Sequence, residues 1–235
     1  MSSIALIGPD GAGKTTLTRM LERSTILPFK YLYMGIDIPA SNMALPTSRL
    51  VERWKSPPDN RAPAAEATNG AAASGPATPG PRVLRRLWST ARLVNRLAEE
   101  SFRQCVSWIY QLRGWTVLYD RHFVFDYAPE ITAGQHNSLD KRIHHWFLST
   151  LYPRPSLVIF LDAPGELLFA RKGELTPAEL ERRRQAFLQV GRRLHNFVRV
   201  DATRPLPEVY AEIARHVVRH CGADGHDCSA GEIAR

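Results

Sequence analysis

Gly8, Gly13, Lys14 and Thr15 stand in the spacing G-x-x-x-x-G-K-[ST], and residues of those types at that spacing hold phosphate. Glycines let a chain turn with positive φ and aim several backbone N–H groups at one anion. A helix starting at the end of the turn adds its unpaired first-turn N–H groups and the positive end of its dipole. In Gly8-Pro9-Asp10-Gly11-Ala12-Gly13-Lys14-Thr15-Thr16, Lys14 is placed to reach the outer phosphates and the Thr15 hydroxyl to sit on Mg²⁺. Gly8, Asp10, Gly11, Ala12, Gly13, Lys14, Thr15 and Thr16 are therefore the candidate nucleotide-binding residues, and ATP with Mg²⁺ is the expected ligand.

Two further groups carry chemistry. Asp120-Arg121-His122 follows an apolar run, Trp115 to Tyr119. A carboxylate and a guanidinium at the end of a buried strand are costly unless they serve a site. Asp120 is a candidate to hold Mg²⁺ through water or to orient an acceptor hydroxyl, and Arg121 to clamp a phosphoryl group. Arg171-Lys172-Gly173-Glu174-Leu175 reads as a basic loop with a glycine hinge, followed by the helix start Thr176-Pro177-Ala178-Glu179. Positive charge on a loop with firm ends is what a phosphate-closing lid needs. The plainer alternatives are an ion pair closing a strand and a helix connection whose charges face water.

The elements that must position these groups are legible as alternating strands and helices. Ile4 to Ile7 is a short apolar run suited to a buried parallel strand, and Leu17, Met20 and Leu21 recur at helical spacing after the glycine turn. Tyr31 to Met34, Trp115 to Tyr119, Leu157 to Leu161 and Phe197 to Val200 read as four more strands. Between them, Arg82 to Arg113 carries one long apolar stripe (Leu84, Leu87, Trp88, Ala91, Val94, Leu97, Phe102, Val106, Ile109), with Trp88 and Trp108 expected in the core. Leu139 to Leu151 and Leu206 to Val218 read as helices; the adjacent His144 and His145 suit packing or solvent better than a metal. The predicted class is α/β, a five-stranded parallel sheet with helices on both faces and a short lid.

Composition bounds the rest. At 235 residues the chain suits one domain, residues 1–219, with a disordered insertion at about 56–81 that is rich in Pro, Ala, Gly and Ser, and a flexible tail at 220–235. Lys and Arg number 31 against 23 Asp and Glu, a formal charge of +8 that favours anionic partners. The arginines are spread over several helices, with Arg182-Arg183-Arg184 the densest group, and nucleic acid is not the expected partner. Three scattered cysteines argue against a disulfide framework, and no apolar run is long enough to span a membrane. A cytoplasmic protein is expected, and the long stripe could hold a homodimer interface.

In this order, the motifs resemble the thymidylate kinase family of nucleoside monophosphate kinases, a P-loop NTPase three-layer fold. The resemblance rests on Gly8 to Thr16, on Asp120-Arg121-His122, on Phe160-Leu161-Asp162-Ala163-Pro164, on the lid Arg171-Lys172-Gly173-Glu174 and on Val200-Asp201-Ala202. It implies transfer of the ATP γ-phosphoryl group to a nucleoside monophosphate, dTMP to dTDP in the family. It further implies Lys14, Asp120, Arg121, Arg171 and Lys172 as catalytic residues, Thr15 and Asp120 at the metal, and Asp10 on the acceptor's sugar. Gly11 occupies a position where some members carry a catalytic arginine, which leaves transition-state charge to Arg171 or Lys172.

The acceptor half departs from the family. Gly35-Ile36-Asp37-Ile38-Pro39 replaces its Asp-Arg-Glu-Pro-Gly-Gly, and Val124-Phe125-Asp126-Tyr127 replaces its Ser-Ser-x-Ala-Tyr-Gln. No Asp-Arg pair occurs between Arg82 and Arg113. Two other readings therefore stand beside the first: a kinase of another small anionic acceptor, such as a sugar or sugar phosphate, and a nucleotide-binding regulatory module with little turnover.

Overall fold

A computed structural model describes residues 2–35, 42, 43, 45, 82–126 and 139–223. Its elements, in chain order, are β1 (Ser3–Ile7), α1 (Lys14–Glu22), β2 (Phe29–Tyr33), α2 (Arg82–Leu112) and β3 (Thr116–Asp120). There follow α3 (Phe123–Asp126), α4 (Leu139–Leu151), β4 (Leu157–Asp162), α5 (Gly165–Lys172), α6 (Pro177–Gly191), β5 (Phe197–Asp201) and α7 (Leu206–Ala223). The insertion expected at 56–81 and the side chain of Trp88 lie outside the described residues.

The five strands form one parallel sheet in the order β2-β3-β1-β4-β5. Every strand residue from Ser3 to Ile7, Thr116 to Asp120 and Leu157 to Asp162 is buried, because helices cover both faces. Successive side chains alternate between two cores. Ile4, Leu6, Leu118, Ile159 and Leu161 pack with Leu17, Leu168, Leu180, Ile213 and Val217 from α1, α5, α6 and α7. Ala5, Ile7, Leu32, Val117, Tyr119 and Phe160 pack on the other face with Phe123, Phe125, Leu148 and Tyr152. Because β1 is central, the glycine turn that follows it has the end of β3 on one side and the end of β4 on the other. That is the crevice where parallel sheets bind ligands.

Three elements differ from the sequence expectation. Arg171 and Lys172 are the last turn of α5, not loop; the chain turns at Gly173, whose φ of 71° caps the helix. The last helix continues to Ala223, and Cys221 is fully buried in the core instead of opening a polar tail. In α2 only part of the expected stripe faces the core: Val106 packs against it. Trp108, Ile109 and Val94 are exposed, while Glu99, Glu100, Arg103, Gln104 and Ser107 are buried. Much of the buried face is polar, because the inward charges find partners. Arg103 donates to Glu99 through Nε (3.1 Å) and Nη2 (3.0 Å) and to the Gly35 carbonyl through Nη1 (2.7 Å). His144 Nε2 lies 2.8 Å from both carboxylate oxygens of Glu100, a packed histidine as its position suggested. None of the helices among the described residues is long and apolar enough to cross a membrane.

Candidate functional site

The glycine turn closes tightly on its neighbours. Gly11 has φ 85°, and a Cβ there would meet the Leu168 carbonyl of α5 at 2.8 Å. An arginine at this position is thus excluded by backbone, which gives a physical reason for the glycine. Gly13, with φ 87°, caps α1 and turns its first N–H groups toward the loop. Lys14 is nearly buried, its Nζ donating to the Pro9 carbonyl at 2.8 Å and lying 3.8 Å from Asp10 Oδ1.

Asp120 sits at the floor of the crevice, fully buried. Its Oδ2 accepts from Thr15 Oγ1 at 2.6 Å and from the Tyr31 hydroxyl at 2.9 Å. Burial and the Asp120 charge push the Tyr31 hydroxyl well above its usual range, so it stays a donor. Asp120 Oδ1 is buried and has no hydrogen-bond partner among the described residues. A buried carboxylate oxygen beside the Thr15 hydroxyl fits Mg²⁺, which takes one or two protein oxygens and leaves the rest of its shell to water and phosphate.

Asp10 gathers the cations. Arg121 Nη2 donates to its Oδ1 at 2.7 Å and Arg183 Nη1 to its Oδ2 at 3.3 Å. Burial alone would raise the Asp10 pKa, but Lys14, Arg121, Arg183 and Lys172 together hold it below the ordinary value of 3.8. Arg121 adopts φ 66°, a left-handed conformation that a non-glycine residue keeps only when its surroundings impose it. A cleft of about 260 Å³ opens over this group, lined by Asp10, Gly11, Gly13, Lys14, Thr15, Thr16, Arg121, Arg171 and Lys172. All nine are residues singled out from their types and spacing. Gly8 and Ala12 shape the loop behind them. Arg171 reaches the cleft while donating to the Ala202 carbonyl at 2.9 Å, and Lys172 pairs with Glu174 at 3.0 Å.

Sequence reasoning passed over Arg183. The run Arg182-Arg183-Arg184 looks like a solvated helix face, but at roughly 100° per residue its members point three ways. The Arg182 side chain is 68% exposed; Arg183 turns to Asp10; Arg184 donates to Asp162 through Nε (2.5 Å) and Nη2 (3.1 Å). Arg199 Nε donates to Asp162 as well, at 2.6 Å. Asp162 thus ties α6 to the ends of β4 and β5. Its burial would raise its pKa, but Arg184 and Arg199 hold it below 3.8. The signal available was the Asp at the end of β4, a buried acid in want of a cation.

On the side of the sheet facing α2, His122 is fully buried among Tyr119 and Phe125, and neither ring nitrogen has a partner among the described residues. Burial lowers its pKa to about 3, so the ring is neutral. The Gln104 amide, also buried, is likewise without a hydrogen-bond partner among the described residues.

A parallel sheet in the order 2-3-1-4-5, a glycine turn after its central strand and a Thr–Asp pair beneath that turn define a three-layer α/β fold of the P-loop type. No protein-family profile and no curated protein matches the chain. Among solved structures, it is similar to a deoxyadenosine kinase from M. mycoides with bound dATP, at 12% identity and a TM-score of 0.53. The match covers 92% of this chain and 99% of the other, and at that identity it shows the fold alone.

Proposed function

We propose that the chain is an ATP-dependent phosphotransferase acting on a nucleoside-type acceptor, a nucleoside monophosphate first, with thymidylate the acceptor suggested by the family resemblance. The observation that carries this is the convergence of Lys14, Arg121, Arg171 and Lys172 on one cleft above Asp120, with Arg183 reaching Asp10 at its edge. Phosphoryl transfer asks little covalent chemistry of a protein; it asks for positioning and for neutralised charge.

In this reading the loop N–H groups and Lys14 hold the ATP phosphates. Thr15 and Asp120 hold Mg²⁺, which neutralises charge on the phosphates. Asp10 carries a single negative charge against two guanidiniums, so Arg121 and Arg183 have positive charge to spare for an incoming phosphate. Arg171 and Lys172, on the last turn of α5, supply charge to the transferring group from the opposite wall. Acceptor binding falls between the end of β2 and the buried polar face of α2.

A second reading, phosphorylation of an unphosphorylated nucleoside, is supported by the structural neighbour, named as a deoxyadenosine kinase. Coupled ADP release with ATP and Mg²⁺ separates the two, run against nucleosides, their monophosphates and a panel of sugars and sugar phosphates. Turnover with monophosphates supports the first reading; turnover with nucleosides alone moves the assignment to the second. Turnover only with sugars, or none at all, overturns both.

A further inference from the structure

We infer that Tyr31 is a positioning residue for the metal site: its hydroxyl, held in place from α1, turns the Asp120 carboxylate so that Oδ1 is the oxygen offered to a divalent cation. The inference rests on the assignment of Thr15 and Asp120 to Mg²⁺. Each oxygen of a carboxylate can accept about two hydrogen bonds. Both side-chain donors that reach Asp120 go to the same oxygen, Oδ2: Thr15 Oγ1 at 2.6 Å and the Tyr31 hydroxyl at 2.9 Å. Oδ1 is buried and has no hydrogen-bond partner among the described residues. Turning the carboxylate over would break both bonds at once. Its orientation is therefore set before any ligand arrives, which is what outer partners do for a ligating carboxylate.

The two donors differ in kind. Thr15 lines the cleft, and its hydroxyl is itself a candidate to meet the cation. Tyr31 is buried in β2 and lies outside the residues that line the cleft. In the register of β2 on β3, Tyr31 pairs with Leu118 and Tyr33 with Asp120. Side chains two residues apart on a strand share a face, so Tyr31, Leu118 and Asp120 project to the same side of the sheet. Leu118 packs there with Leu17 and Leu21 of α1. Tyr31 thus reaches Asp120 diagonally, beneath α1.

Contacts from α1 hold the tyrosine itself. Arg19 lays its guanidinium over the Tyr31 ring, the guanidinium carbon 3.5 Å from the centroid. Arg19 Nη1 donates to Glu22 Oε2 at 2.8 Å, and Glu22 Oε1 accepts from the Tyr31 backbone N–H at 3.1 Å. Both residues belong to α1, whose first turn carries Lys14 and Thr15. The helix that opens at the glycine turn therefore also fixes the tyrosine that orients the acid. A cation over an aromatic face draws on its electrons and makes the hydroxyl a better donor. A phenylalanine would fill the same space and stack under the same guanidinium, so packing alone gives the hydroxyl no use.

Mn²⁺ titration of the full chain, followed by electron paramagnetic resonance with a non-hydrolysable ATP analogue held saturating, tests this on the wild type and Tyr31→Phe. Loss of a partner that orients a metal ligand costs about 10- to 100-fold in metal affinity. A loss of that order is the expected result, with the cooperative melt and the affinity for the analogue in EDTA preserved. In an Asp120→Asn background, Tyr31→Phe should add little, because it acts through that carboxylate. Unchanged Mn²⁺ affinity in Tyr31→Phe overturns the inference, as does an undiminished loss in the Asp120→Asn background. If Tyr31→Phe fails to melt cooperatively, Arg19→Leu decides, since that side chain is 44% exposed. Weakened Mn²⁺ binding there supports the inference and wild-type binding overturns it. Mn²⁺ affinity indifferent to Asp120→Asn overturns the metal assignment and the inference together. The titration needs no acceptor, so a phosphotransfer assay that fails on every acceptor does not decide it.

Discussion

Lys14, Gly11 and the three arginines of α6 each take a role from geometry that their residue type alone leaves open. Lys14 is buried against Pro9 and Asp10, so its charge is aimed and not merely present. Lys14→Ala should reduce phosphotransfer by orders of magnitude while circular dichroism and the melting midpoint stay close to wild type. Arg183→Ala should lower kcat by about 10- to 1,000-fold, as loss of one charge-stabilising donor does elsewhere, while Arg182→Ala, on the exposed side chain, should stay within about twofold. Equal effects from the two arginines, measured by ADP release, would count against the Asp10 contact as a working part of the site. Gly11→Ala sets a Cβ against the Leu168 carbonyl at a positive φ. It should cost about 1–3 kcal/mol of stability and weaken nucleotide binding, read by urea unfolding and ATP titration. At this scale the sequence was legible for the loop, because G-x-x-x-x-G-K-[ST] is local chemistry in a fixed order. Arg183 was not legible, since its meaning depends on Asp10, far away in the chain and adjacent only after folding.

Among the elements, Asp162 is the join between α6 and the sheet. Removing its carboxylate leaves Arg184, whose side chain is 18% exposed, facing a vacated pocket. Asp162→Ala should cost about 1–3 kcal/mol, less than a fully buried pair because Arg199 reaches solvent. Thermal melting should register a midpoint several degrees lower. The sign of its pH dependence follows from the direction of its shift. The folded carboxyl titrates below its ordinary value of 3.8, so its contribution is complete above about pH 4 and is lost as pH falls through the folded value. Asp162→Asn should therefore flatten the acid limb of a stability curve and leave its slope near neutrality unchanged. The helices also show where periodicity stops informing. In α2 the apolar repeat was plain from the sequence, but a repeat says only that two faces differ, not which one turns inward. The answer came from Glu99, Arg103 and the Gly35 carbonyl, whose mutual hydrogen bonds make a polar face fit to bury. Boundaries shifted for related reasons: Cys221 belongs to the core because α7 packs it beneath Ser2, a contact between the two ends of the described chain.

For the whole molecule, the order β2-β3-β1-β4-β5 brings the ends of β1, β3 and β4 to one edge, where the glycine turn, an acid and a cationic helix end meet. Five apolar runs alternating with helical stretches were enough to foresee that sheet, since strands buried on both faces read as continuous hydrophobic segments. Their spatial order was not legible in the runs themselves, because pairing is decided only when the chain folds. The expected acceptor side was the least legible, because the stretches around Gly35 and Val124 depart from the pattern of the family that the sequence resembles. The central claim is that this edge moves a phosphoryl group from ATP to a nucleoside-type acceptor. Its most direct test follows γ-labelled ATP with Mg²⁺ and nucleoside monophosphates or nucleosides, using the wild type and Lys14→Ala. Label on the acceptor is expected with the wild type and none above background with the variant. Label released only as inorganic phosphate, or acceptor labelled equally by both proteins, would contradict it.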